Sequence, residues 1–113
     1  MVVGVCRITF SLPGNDSLKG KRSVVRRIVD RTRNRFNVAI AEVSSMDDHR
    51  RAVLGFAVVS NESRHANSML DTIASFTAGQ TEAIPVDRSM ELLHVGHDHG
   101  DLDLGDEPEG DAS

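Results

Sequence analysis

An α+β sandwich, with a four-stranded antiparallel sheet carrying two helices on one face, is the fold class this sequence predicts. Three observations predict it. The apolar periodicity runs at two over Val2–Leu12, switches to helical spacing from Leu18, and repeats that switch later in the chain. A polar connection, 44–51, separates two strand patterns without room for a crossover helix. At 113 residues the chain is one domain's worth, enough for one modest two-layer core. The resulting order, β-α-β-β-α-β, is the ferredoxin-like arrangement.

In the first strand Val2, Gly4, Cys6, Ile8, Phe10 and Leu12 fall on one side, and Val3, Val5, Arg7, Thr9 and Ser11 on the other. Pro13-Gly14-Asn15-Asp16 is a turn composition, and Ser17 suits a helix N-cap. Leu18, Val25, Ile28, Val29, Thr32 and Phe36 then gather on one face of a helix over about 18–35. Val38–Val43 reads as a short second strand. Ala52–Val59 reads as the third, with Leu54, Phe56 and Val58 on one side and Val53, Gly55, Ala57 and Val59 on the other. Ser60 or Asn61 is expected to cap a second helix, in which Ala66, Met69, Leu70, Ile73 and Phe76 share a face. Ala78-Gly79-Gln80 is expected to end it, with Gly79 as the C′ residue. A last strand lies within 82–95, read as Ile84-Pro85-Val86 and then Met90–Val95, and Pro85 argues that it is at an edge or begins late. The domain is expected to cover 1–95, and 96–113 to form an acidic disordered tail.

Composition narrows the chemistry. Without Trp or Tyr and with four Phe, the core must be aliphatic and stacking surfaces scarce. The single cysteine, Cys6, excludes an intramolecular disulfide and a Cys-rich zinc site, and its apolar surroundings predict a buried, inert thiol. No run of about 18 apolar residues is present, and the start reads as a strand rather than a signal peptide, so a cytoplasmic protein with no membrane segment is expected.

The net charge of −4 hides a segregation. Residues 97–113 hold seven acids and no Lys or Arg, which leaves the body with 13 basic and 10 acidic residues, or +3. Eight of those basic residues lie between Lys19 and Arg35 against one acid, Asp30. Lys19, Arg22, Arg26 and Arg33 flank the apolar stripe on one side; Arg27, Arg31 and Arg35 flank it on the other. Together with the helix N-terminus and Lys21, these cations point to phosphate, and Lys19, Lys21, Arg22, Arg26, Arg27, Arg31 and Arg33 are the candidate nucleic-acid contacts. The acidic tail on the same chain either only solubilises the protein and touches nothing, or occupies that helix transiently and competes with RNA.

The other candidates are weaker. Gly14 to Ser23 departs from a nucleotide-binding loop: five residues separate the glycines, and Arg22 stands between Lys21 and Ser23. Leu54-Gly-Phe-Ala-Val faintly echoes an RNA-recognition motif, yet Phe56 belongs to the core side. His94, His97 and His99 with Asp98 and Asp101 lack outer-sphere support for a metal. Asp47-Asp48 reads as turn chemistry, and Leu12–Asp16 lacks the arginine-bearing glycine loop of acylphosphatases. No catalytic residue, metal or cofactor is therefore expected. One further surface is: Val3, Val5, Val53, Ala57 and Val59 on the uncovered sheet face predict an interface with a second copy or a protein partner.

Ser17-Leu-Lys-Gly-Lys-Arg-Ser-Val-Val-Arg26, Asn34-Arg-Phe-Asn-Val-Ala-Ile-Ala-Glu-Val43 and Leu54-Gly-Phe-Ala-Val-Val-Ser-Asn61 together resemble the bacterial YlxP-like family, domain of unknown function 503, over about residues 1–95. The resemblance implies a small ferredoxin-like domain without established catalysis. It also implies a gene neighbourhood of translation initiation factor two and ribosome-binding factor A. Two functions remain open: an RNA- or ribosome-binding accessory protein acting through the first helix, or a dimeric protein-interaction module acting through the open sheet.

Overall fold

The computed structural model describes residues 1–79 and 82–96. The acidic segment 97–113 lies outside them, as do His97, His99, Asp98 and Asp101. The elements are β1 (Val2–Ser11), α1 (Leu18–Arg35), β2 (Ala39–Ser44), β3 (Arg51–Ser60), α2 (Ser63–Ala78) and β4 (Ile84–His94). The sheet order is β2-β3-β1-β4, with every neighbouring pair antiparallel. This is the ferredoxin-like α+β arrangement, with β1 and β3 central.

The period-two pattern of β1 and β3 decides which side the helices cover. Cys6, Ile8, Phe10, Leu54, Phe56 and Val58 join Val25, Ile28 and Val29 of α1 and Leu70, Ile73 and Ala74 of α2 in one buried cluster. Both helices therefore sit on that face. Aliphatic burial of this kind contributes about 25 cal/mol per Å² of apolar surface removed from water. β1 approaches α2 closely: a Cβ built at Gly4 would lie 2.9 Å from Leu70 Cδ1. Phe36 and Phe76 meet edge to face, 5.3 Å between centroids, and close the gap between the helices' C-terminal ends.

Three local expectations are corrected. Glu62, not Ser60 or Asn61, occupies the N-cap position of α2. The Ser60 hydroxyl instead accepts from the Glu62 amide 3.1 Å away, a turn that uses up the capping group two residues early. Gly79 is the C-cap of α2, at φ −82°, and not the C′ residue beyond it. β4 runs unbroken through Pro85 because the proline stands opposite Phe10 at a register shift between Thr9 and Phe10, and β4 is an edge strand.

Candidate nucleic-acid interface

The site begins with the clasp that fixes the start of α1. Ser17 adopts an extended conformation and its hydroxyl accepts from the Gly20 amide at 3.0 Å, the N-cap bond its side chain favours. Asn15 folds back so that its amide donates to the Ser17 and His49 carbonyls. Its Oδ1 occupies the space a Cβ on residue 20 would need, so Gly20 is required by close approach. The Leu12 amide donates to the Arg50 carbonyl at 2.9 Å.

Lys21 completes the clasp. It is 1% exposed. Its Nζ donates to the carbonyls of Ser45 (2.7 Å), Met46 (3.2 Å) and Arg51 (3.2 Å), and lies 2.8 Å from Glu42 Oε2. That carboxylate oxygen is buried and takes no hydrogen bond from any other described group, so the ion pair alone satisfies it. Ser45 sits at φ 59°, a left-handed conformation that costs a non-glycine residue about 1–2 kcal/mol, and the ammonium holds its carbonyl in place. Five carbonyls of the β2–β3 hairpin, from Ser45, Met46, His49, Arg50 and Arg51, are thus captured by the segment running from Leu12 to Lys21. Lys21 is consequently removed from the candidate phosphate contacts: a lysine whose donors are spent on three carbonyls and one carboxylate has none left for an anion.

The signal for this was present in the pattern. Residue 21 is three after Leu18 and four before Val25, so it falls on the apolar stripe and not beside it. A lysine there must be paired or desolvated without compensation. Asn15 and Glu42, which make the pairing work, carry no distinguishing signal of their own.

The two basic flanks of α1 face different neighbours. On the α2 side, Arg27 pairs with Glu82, and Arg35 lies over the rings of Phe36 and Phe76 at 5.8 and 5.5 Å. Arg31 is exposed on the same flank. On the β2 side, Arg22, Arg26 and Arg33 line an open groove of about 410 Å³ whose other wall is Ile40, Ala41 and Glu42, with Val25, Val29 and Asp30 in its floor and rim. Arg33 Nη2 donates to the Ile40 carbonyl at 3.1 Å, which fixes that guanidinium across the groove. Since Lys21 already offsets Glu42, three guanidinium groups face one uncompensated acid, Asp30. Lys19 is exposed one turn before. Of the seven candidates, the structure therefore brings Arg22, Arg26 and Arg33 together with Lys19 near them, pairs Arg27 with an acid, and buries Lys21.

The other polar residues have structural roles. Asp48 accepts from the Arg50 amide at 2.9 Å within the hairpin turn. His94 and the Ser63 hydroxyl are 2.8 Å apart. Cys6 is 3% exposed, and burial pushes its thiol pKa up, with Arg88 opposing and Asp71 reinforcing the shift; the nucleophilic thiolate is disfavoured accordingly. Among the described residues no group of three His, Cys, Asp or Glu side chains is placed to hold a metal ion, and no helix is long and apolar enough to cross a membrane.

On the open sheet face the structure places Val3, Val5 and Ala57 half-buried and Val59 63% exposed. Val53 is corrected: it is 4% exposed, opposite Thr9 and beside the irregular end of β2, and offers little to a partner.

A family model described as "Protein of unknown function (DUF503)" matches residues 3–90. The chain belongs to that family. It is also 38% identical over 60 residues to "Uncharacterized protein YlxP" of Bacillus subtilis (strain 168), a match covering 53% of this chain and 65% of that relative's length. The match to the DUF503 family thus embraces the clasp, the groove and nearly the whole sheet.

Proposed function

We propose that this DUF503 protein is a non-enzymatic binding domain that engages RNA, free or within a ribosomal particle, through the groove between α1 and β2. The observation that carries the reading is the convergence of Arg22, Arg26 and Arg33 on one groove wall, with the competing acid Glu42 neutralised from within by Lys21. Guanidinium groups present several donors in a fixed plane and suit phosphate oxygens. The absence of Trp and Tyr from the sequence and the burial of Phe56 favour backbone contact over base stacking.

The test is binding of single-stranded and duplex RNA across a salt series. Affinity is expected to fall steeply as salt rises, with a slope set by the number of phosphates contacted. Salt-insensitive binding, or none at low salt, rejects the reading. A second reading, association through the open sheet face, draws support from Val43, Val59 and Leu93, which are 50%, 63% and 40% exposed there.

A further inference from the structure

The registers fix which residues share the open face. Arg7 stands opposite Gly55 and Ser89, and Val5 stands opposite Ala57 and Glu91. On β2, Ala39 pairs with Ala57 and Ala41 with Gly55. Two adjacent rows therefore cross the whole sheet: Ala39, Ala57, Val5, Glu91 and Ala41, Gly55, Arg7, Ser89. Their small side chains leave a shallow trough of about 750 Å³, with Val43 at one wall. Arg7 and Glu91 are exposed, and among the described residues neither side chain makes a hydrogen bond or ion pair.

We propose that this face docks a second copy of this chain, sheet against sheet, with Arg7 of one protomer meeting Glu91 of its partner. The inference rests on the second reading above and names its occupant. Three arguments select a second copy. The first is charge. Arg7 and Arg51 on β1 and β3 balance Asp87 and Glu91 on β4, so the strands of the open face carry no net charge and are self-complementary; Arg33 of α1 reaches the trough only at its β2 edge, where it is held on the Ile40 carbonyl. The second is geometry. A two-fold axis crossing the strands between the two rows exchanges them, which sets each Arg7 over the partner's Val5–Glu91 row and yields two equivalent pairs, as an isologous interface requires. Face-packed sheets lie about 10 Å apart, a gap an arginine and a glutamate span together. The third is area. Three strands of ten or eleven residues and the six-residue β2, at ~4.8 Å spacing and ~3.3 Å rise, present a projected face of roughly 600 Å², before side-chain relief, which approaches the ~800 Å² per partner of a standard interface.

Sedimentation equilibrium on the full chain tests this. The wild type is expected to dimerise. Arg7→Glu and Glu91→Arg each place like charges at both contacts, and each alone is expected to weaken dimerisation about tenfold or more. An equimolar mixture of the two variants restores both pairs and is expected to recover the wild-type dimer, a result that pairing within one protomer does not produce. Wild-type circular dichroism and a cooperative melt, compared at concentrations low enough that the wild type too is monomeric, establish that folding is intact. A wild type that stays monomeric overturns the proposal, and so does a mixture no tighter than its components. Val5→Lys with Val59→Lys distinguishes the remaining failure: if these abolish association while the charge reversals change nothing, the face is used without this pairing, and the proposal fails while the second reading stands.

Discussion

The first turn of α1 and its middle carry similar densities of positive charge and use them in opposite ways. Lys21 turns inward, is 1% exposed and spends its donors on the hairpin; Arg22, its neighbour, turns outward to the groove. The difference is one of position on the helix wheel, about 100° between successive residues. It teaches that a basic motif is a sum of separate roles: the Ser17–Arg26 motif contains a cap, a glycine required by packing, a structural ammonium and two outward guanidinium groups.

The comparison is broken most directly at Lys21. Lys21→Met leaves Glu42 without its partner and three carbonyls without a donor, and is expected to destabilise the fold by about 3–5 kcal/mol. RNA affinity per folded molecule is expected to fall only modestly, through the uncompensated Glu42 carboxylate left on the groove wall and not through a lost phosphate contact. Chemical denaturation measures the first effect and binding at low denaturant the second. A Lys21→Met protein of wild-type stability that has lost RNA binding reverses the assignment.

Asn15→Ala removes the side chain that ties the turn before α1 to the His49 carbonyl. A cost of about 1–2 kcal/mol is expected, since the orphaned carbonyl is only partly buried. The loss should add to that of Lys21→Met less than fully, because both groups hold one hairpin. Ser45→Gly acts on the same hairpin from the other side. It relieves the left-handed strain at φ 59° while keeping the carbonyl that Lys21 grips, and a gain of up to about 1 kcal/mol is expected in thermal melts. A large loss would mean that the Ser45 side chain, and not its backbone, matters.

Much of this was legible in the residues. The alternation of β1 and β3 named the core side, from Cys6 to Val58, and helical spacing bounded α1 at Leu18 and Arg35. The two arginine flanks were also legible, because i, i+4 spacing survives folding. Local caps were harder: Ser60 and Asn61 both suit a cap, and only the chain path after β3 decides for Glu62. The burial of Val53 is not legible in the sequence, because alternation gives the side of a sheet, not the depth of cover on it. The β2 wall of the groove joins residues brought together by tertiary packing, so no local pattern reports it.

The smallest expected effect concerns the tail. Deleting residues 97–113 removes seven acids, and if these compete with RNA for α1, affinity should rise severalfold at low salt and converge with the full chain as salt increases. Equal affinities at low salt end that idea without touching the groove.

The most direct test of the central claim is the salt dependence of RNA binding by Arg22→Glu/Arg26→Glu beside the wild type, both confirmed as folded. If the groove holds the phosphates, the double variant binds at least ~10-fold more weakly at low salt, and its log affinity against log salt is shallower by about 1.4 for single strands, the loss of two phosphate contacts. An unchanged slope with unchanged affinity would contradict the account and move any RNA contact away from this helix.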